Sequence, residues 1–155
     1  RLCLSPAREG GESQFLHIDQ VVERLMVRAP EALSVLQNSF YRESASPGFL
    51  ASVMHVRESR FPVIGKSESG YTIQYMRRWI EEGHSKVGEP LGNIEREALD
   101  YLDEILAGDI EPYALCAGKG DIFSMNNRTV LHTRKPFQDF DEATRKRHMV
   151  RVWVK

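Results

Sequence analysis

Three side chains in the last third of the chain could do chemistry together: His132, then Arg147 and Arg151, fifteen and nineteen residues further on. A neutral imidazole nitrogen can hold a transition metal. A guanidinium can grip a carboxylate through two parallel N–H···O bonds. A metal ligand at the end of one strand and carboxylate clamps on the last strand are what a ferrous enzyme needs to use a dicarboxylic co-substrate. Each residue also has a plainer role open to it. His132 would serve as a core histidine bonded to backbone. Arg147 belongs to the run Arg145-Lys146-Arg147, which reads equally as a solvated basic turn. Arg151 lies within an apolar stretch, where an unpaired charge is costly, so it needs an anion, either an internal carboxylate or a ligand.

The elements that must position these groups are short. Residues 2–4 read as a strand, residues 7–11 as a turn ending in Gly10-Gly11, and residues 12–16 as extended chain. Asp19 is placed to cap a helix whose apolar positions are Val22, Leu25 and Met26. Pro30 suits the first position of a second helix carrying Ala32, Leu33, Val35 and Leu36. Residues 48–60 are weakly patterned. Strands are expected at 62–64 and 71–75, around a turn at 67–70, and Trp79 and Ile80 are anchors. Asn93 is the expected cap of the clearest helix, with Ala98, Leu99, Leu102, Ile105 and Leu106 at helical spacing and Gly108 as its end. Further strands are expected at 113–116, 121–125, 130–132 and 148–154. In the last, Arg151 alternates onto the face of Arg147, while His148 points to the other side. Tyr71, Tyr75 and Trp79 suit a core and would also suit a pocket wall. His55 and His84 fall in polar stretches and read as surface residues.

The order of these motifs resembles the taurine-catabolism dioxygenase (TauD/TfdA-like) family, whose members use Fe(II) and 2-oxoglutarate. The resemblance runs over most of the chain. It rests on Gly10-Gly11-Glu12-Ser13, on Gly120-Asp121-Ile122-Phe123 with Asn126-Asn127-Arg128, on Leu131-His132-Thr133-Arg134, and on Arg147-His148-Met149-Val150-Arg151. The threonine after His132 departs from the commoner His-Gly-Arg without touching the ligand. The resemblance implies a mainly β fold with a helical insert (α+β), a double-stranded β-helix or distorted jelly roll of the clavaminate synthase-like kind. It implies a single partial domain over 1–155, the C-terminal part of such an oxygenase. Within it, residues 19–110 include an insert that serves as a lid. It implies His132 as the distal iron ligand, Ser13 as a hydrogen-bond donor to 2-oxoglutarate, and Arg147 as the clamp on its far carboxylate. Arg151 would meet an anionic group of substrate or co-substrate. Ser13 could instead simply satisfy a turn.

The family's His-x-Asp or His-x-Glu pair, which completes the facial triad with two open positions for 2-oxoglutarate and one for O2, precedes the double-glycine turn and is expected upstream of Arg1. Leu16-His17-Ile18-Asp19 contains a literal His-x-Asp, but it follows the glycines, and Asp19 has sufficient work as a helix cap. The implied activity is oxidation, by hydroxylation, of a small-molecule substrate with release of succinate and CO2. Desaturation, cyclisation or epimerisation on the same fold, and a jelly-roll binding domain without redox chemistry, are the alternatives.

The bulk composition agrees with one ordinary globular unit: 155 residues, 41% hydrophobic and 28% charged, with a formal net charge of −1. That balance gives no reason to expect nucleic acid or a membrane surface as partner. No apolar run approaches the roughly 18 residues of a membrane span. Cys3 and Cys116 lack metal-site or CxxC spacing and read as small core residues in a reducing, cytoplasmic setting. A homo-oligomer stays open.

Overall fold

A computed structural model describes residues 1–43 and 51–153. Val154 of the expected last strand, and residues 48–50 of the weakly patterned stretch, lie outside the described residues. In chain order the elements are β1 (Leu2–Ser5), β2 (Glu9–Gly10), β3 (Ser13–His17), α1 (Ile18–Arg28), α2 (Pro30–Leu36), β4 (Ser39–Phe40), α3 (Val53–Glu58), β5 (Phe61–Pro62), β6 (Ile64–Ser67), β7 (Gly70–Ile73), α4 (Arg77–Val87), α5 (Asn93–Glu104), β8 (Tyr113–Leu115), β9 (Val130–Arg134), β10 (Phe137–Gln138) and β11 (His148–Val150). They divide into two compact units, Arg1–His17 with Glu111–Lys155, and Ile18–Ile110.

The first unit holds three small antiparallel sheets. In the largest, β3 lies between β8 and β9, with Ser13 opposite Leu115 and Arg134, and Phe15 opposite Tyr113 and His132. β1 pairs with β11, Cys3 opposite Met149, with an irregularity between Cys3 and Ser5. β10 pairs with β2, Phe137 opposite Gly10. Phe15 packs edge-on against Phe123, ring centroids 5.8 Å apart.

These ladders correct the expected double-stranded β-helix. Among the described residues the sheets have two or three strands, and none closes or curls into a barrel. A barrel requires each edge to find a further strand. The segment expected to supply one, residues 121–125, pairs with β1 over only a few residues: Ile122 bridges Leu2, the Cys3 N–H donates to the Asp121 carbonyl (2.9 Å), and the Phe123 N–H donates to the Arg1 carbonyl (3.0 Å). The cause is local. Asp121 accepts a hydrogen bond from the Gly118 N–H (2.8 Å) and donates its own N–H to the Gly118 carbonyl (3.1 Å), while Gly120 takes φ +93°. That turn takes residues 118–121 out of extended structure, so pairing with β1 is confined to the few residues that follow. The last strand also stops at Val150 rather than continuing to 154. The fold is mixed α+β.

The second unit is built on helices. α1 buries Ile18, Val21, Val22 and Leu25 along one stripe, and α5 buries Ala98, Leu99 and Leu102. α1 begins one residue before Asp19, so Asp19 lies in its first turn rather than at the cap, where its charge still complements the helix dipole. α5 likewise begins at Asn93, with Gly92 as cap and the Glu95 carboxylate accepting the Gly92 N–H at 2.7 Å. A π-turn over Ile105–Asp109 then ends the helix, with Gly108 inside it. Arg77 on α4 reaches Asp100 (2.8 Å) and Asp103 (3.0 Å) of α5.

His84 is buried, not a surface residue. It sits on the α4 stripe of Ile80, Gly83 and Val87, its Nε2 accepts the Tyr41 N–H (3.3 Å), and its Nδ1 faces the Glu89 carbonyl (2.8 Å). Cys3 is buried as expected, but Cys116 is exposed.

Gly83 is where α4 meets the backbone of Arg42, and an added Cβ would lie 2.7 Å from Arg42 N and Cα. Helix propensity alone would make Gly83→Ala stabilising by about 1 kcal/mol. Forced overlap with backbone costs about 1–3 kcal/mol and wins. Urea denaturation should therefore show a net loss of stability; a gain would contradict this packing.

Candidate functional site

The site is built around the double-glycine turn. Gly10 and Gly11 both have positive φ (+72° and +78°). A Cβ on Gly10 would lie 2.5 Å from the Pro136 carbonyl oxygen, and one on Gly11 would lie 3.1 Å from Phe137 Cβ and 3.5 Å from Arg147 Nε. Glycine is needed here both for the backbone conformation and for the close approach. The turn delivers Ser13 as the first residue of β3, with only 5% of its surface exposed. Ser13 and Arg147 line one cavity of about 220 Å³, together with Cys3, Gly11, Cys116 and Met149.

The cavity lining carries both signs, Arg8 and Arg147 with Glu9 and Glu12, and Arg134 and Asp139 act on Arg147 from beside it. The guanidinium of Arg1 donates to Nε2 of His132 at 2.9 Å. An arginine has no acceptor to offer, so Nε2 carries the lone pair and the imidazole is neutral. Burial, and then Arg1 and Arg151, hold the His132 pKa below its ordinary value. Burial, and then Arg151, Arg147 and Arg134, push the Arg1 pKa down. For Arg147, burial and Arg134 lower the pKa against the opposing influence of Cys3 and Asp139. Arg1 is thus the shared neighbour that links His132 to both Arg147 and Arg151. Among the described residues, no carboxylate forms an ion pair with Arg1, Arg134, Arg147 or Arg151; the ion pair of this stretch is Arg145 with Glu142.

Ser13 and Arg147 therefore meet at one cavity, whereas His132 and Arg151 join them through Arg1. His132 shares its sheet face with Arg134 and, across the ladder, with Ser13 and Phe15. Arg151 follows the end of β11, exposed, with its guanidinium 5.4 Å from the Trp153 ring centroid. Sequence reasoning missed Arg1, Arg134, Phe137 and Asp139. The signal for Arg134 was present, since it stands two residues after His132 and so on the same face.

A described family, "Taurine catabolism dioxygenase TauD, TfdA family", matches residues 2–153. The chain belongs to this family of Fe(II)/2-oxoglutarate oxygenases. It is 24% identical over 159 residues to FR-33289 synthase of Streptomyces rubellomurinus (strain ATCC 31215), covering 99% of this chain and 45% of that protein. Two solved structures share its fold at 16% identity. One is the non-heme iron oxygenase OrfP in complex with Fe, with TM-score 0.63, over 94% of this chain and 42% of that one. The other is an asparagine oxygenase in complex with Fe(II), 2S,3S-3-hydroxyasparagine and succinate, with TM-score 0.60, over 94% and 41%. The chain spans less than half the length of these relatives. No helix among the described residues is long and apolar enough to cross a membrane.

Toward a small carboxylate the cavity offers a hydroxyl, Ser13, and a guanidinium, Arg147, beside Glu9 and Glu12 of its lining. For iron the residues present offer His132, whose Nε2 lone pair is aimed at a donor. No group of three or more His, Cys, Asp or Glu side chains among the described residues could hold a metal.

The depressed His132 pKa means that the fold favours neutral imidazole. That contribution is complete at neutral pH and is lost as pH falls through the folded value, below the ordinary value of about 6.5. Removing one neighbouring charge with Arg151→Gln should raise the His132 pKa. Imidazole chemical shifts followed against pH in the metal-free protein measure this, and an unmoved midpoint would show that Arg151 does not face the ring.

Proposed function

We propose that this protein works as an Fe(II)- and 2-oxoglutarate-dependent dioxygenase that oxidises a small molecule, by hydroxylation, with release of succinate and CO2. The observation that carries this reading is the shared cavity of Ser13 and Arg147, where, among the described residues, the Arg147 guanidinium forms no ion pair with a carboxylate. In it the Arg147 guanidinium grips the far carboxylate of 2-oxoglutarate, a bond that is strong because it is charge-assisted and partly shielded from water. The Ser13 hydroxyl donates to the same molecule. Arg151 pairs with an anionic group of substrate or co-substrate. His132 would offer Nε2 as one iron ligand, with the Arg1 guanidinium, which donates to that nitrogen here, displaced from it. Bound iron and 2-oxoglutarate would supply the oxidising chemistry, and the chain's own residues orient the reactants and exclude water. The asparagine oxygenase relative, whose structure contains succinate and a hydroxylated amino acid, supports an outcome of this type.

Succinate formation from 2-oxoglutarate, measured with and without Fe(II), tests the reading. Arg147→Gln should raise the 2-oxoglutarate KM by about 100-fold, the scale of a lost charged hydrogen-bond pair. Ser13→Ala should raise it by only about 3–10-fold, since one neutral hydrogen bond is lost. His132→Ala should abolish iron-dependent turnover. Tight 2-oxoglutarate binding with no succinate under any condition would instead identify a ligand-binding domain.

A further inference from the structure

A guanidinium that must receive an anion has two conflicting needs. It must be held still, and its N–H groups must stay free. A carboxylate neighbour would hold it but would occupy those same N–H groups. The face of an aromatic ring attracts the cation through its quadrupole and leaves the in-plane N–H groups open.

Phe137 stands in that relation to Arg147. The Arg147 guanidinium carbon lies 5.5 Å from the Phe137 ring centroid, and that of Arg134 lies 4.6 Å from the same centroid. One ring thus serves two like charges that otherwise repel each other. The ring is itself fixed. Phe137 pairs with Gly10 across the β2–β10 ladder, and Gly11 lies against its Cβ. Two residues further on, Asp139 Oδ1 accepts the Arg147 backbone N–H at 2.7 Å. The segment from Phe137 to Asp139 therefore holds Arg147 twice: the carboxylate takes the main chain, and the ring takes the guanidinium. The acid is spent on the backbone, and the side-chain donors remain for a ligand.

From this arrangement we propose that Phe137 is a positioning residue for co-substrate binding, its ring orienting the Arg147 guanidinium so that the N–H edge meets the far carboxylate of 2-oxoglutarate. This rests on the reading of Arg147 as the carboxylate clamp. A ring–guanidinium contact is worth a factor of about ten at most sites of partial burial, so its loss should weaken the ligand without abolishing binding.

Calorimetric titration in the presence of Fe(II) and the absence of O2 tests the proposal, with two probes. One is 2-oxoglutarate. The other is 2-oxopentanoate, which keeps the keto acid end and lacks the far carboxylate. Phe137→Leu should weaken 2-oxoglutarate about ten-fold and leave 2-oxopentanoate unchanged. Phe137→Tyr should restore wild-type affinity, and Phe137→Leu should add nothing in an Arg147→Gln background. In the ligand-free, metal-free protein, the Arg147 Nε–H resonance should lie at a ring-shifted position and move to the ordinary arginine position in Phe137→Leu. Equal weakening of both probes would show a merely structural role and overturn the proposal. Wild-type 2-oxoglutarate affinity in Phe137→Leu, with a loss in Arg147→Gln, would overturn it while leaving the clamp standing. Wild-type affinity in Arg147→Gln would remove the clamp and the proposal with it.

Discussion

Like charges gathered around Arg147, with Asp139 as their acidic neighbour, are the constraint on which the first unit turns. Arg1, Arg134, Arg147 and Arg151 are coupled through space, and partial burial strengthens their repulsion. At the effective dielectric of such sites, two cations several ångströms apart oppose each other by on the order of 2–4 kcal/mol. Folded chains rarely retain such a cluster without a counter-charge. The ring of Phe137 relieves part of it at Arg134 and Arg147, and the neutral His132 accepts from Arg1. What remains is a cavity with the Arg147 guanidinium at its wall and Glu9 and Glu12 beside it. Burial first, and then Arg1 and Arg151, favour the unprotonated form of His132.

The glycine pair is the geometric counterpart of that electrostatic constraint. Positive φ at Gly10 and Gly11 lets β2 turn sharply into β3, and the missing side chains let Phe137 and Arg147 approach the main chain. Ser13 follows at once, so the residue that lines the cavity from β3 is set by the turn itself. A side chain at either glycine would separate the hydroxyl from the guanidinium.

The short strands that carry the expected site residues were partly legible in the sequence because period-2 alternation is local. It put Arg151 with Arg147 on one face of a last strand, whereas that strand spans only His148–Val150. The partners that tune these groups were not legible. Arg1 meets His132 from 131 positions away, and Phe137 reaches Arg147 only because β10 pairs with β2. The helices were read well, since the apolar stripes of α1 and α5 follow from 3.6-residue spacing. The first residue of α1 was misplaced by two and that of α5 by one, as cap geometry depends on which N–H a side chain meets. The double-stranded β-helix was the larger error. It was carried by family likeness, whereas Asp121 folds its own segment into a turn and the ladders stay open. His84 misled because polar neighbours hid its position on the buried stripe of α4.

The central claim is that the cavity of Ser13 and Arg147 takes the far carboxylate of 2-oxoglutarate while His132 faces the metal. A crystal of the protein grown without oxygen in the presence of Fe(II) and 2-oxoglutarate tests it most directly. The account predicts density for the co-substrate between Ser13 and Arg147, with both oxygens of one carboxylate on the guanidinium and His132 Nε2 bonded to iron. Co-substrate density away from Arg147, or iron bound without His132, would contradict it.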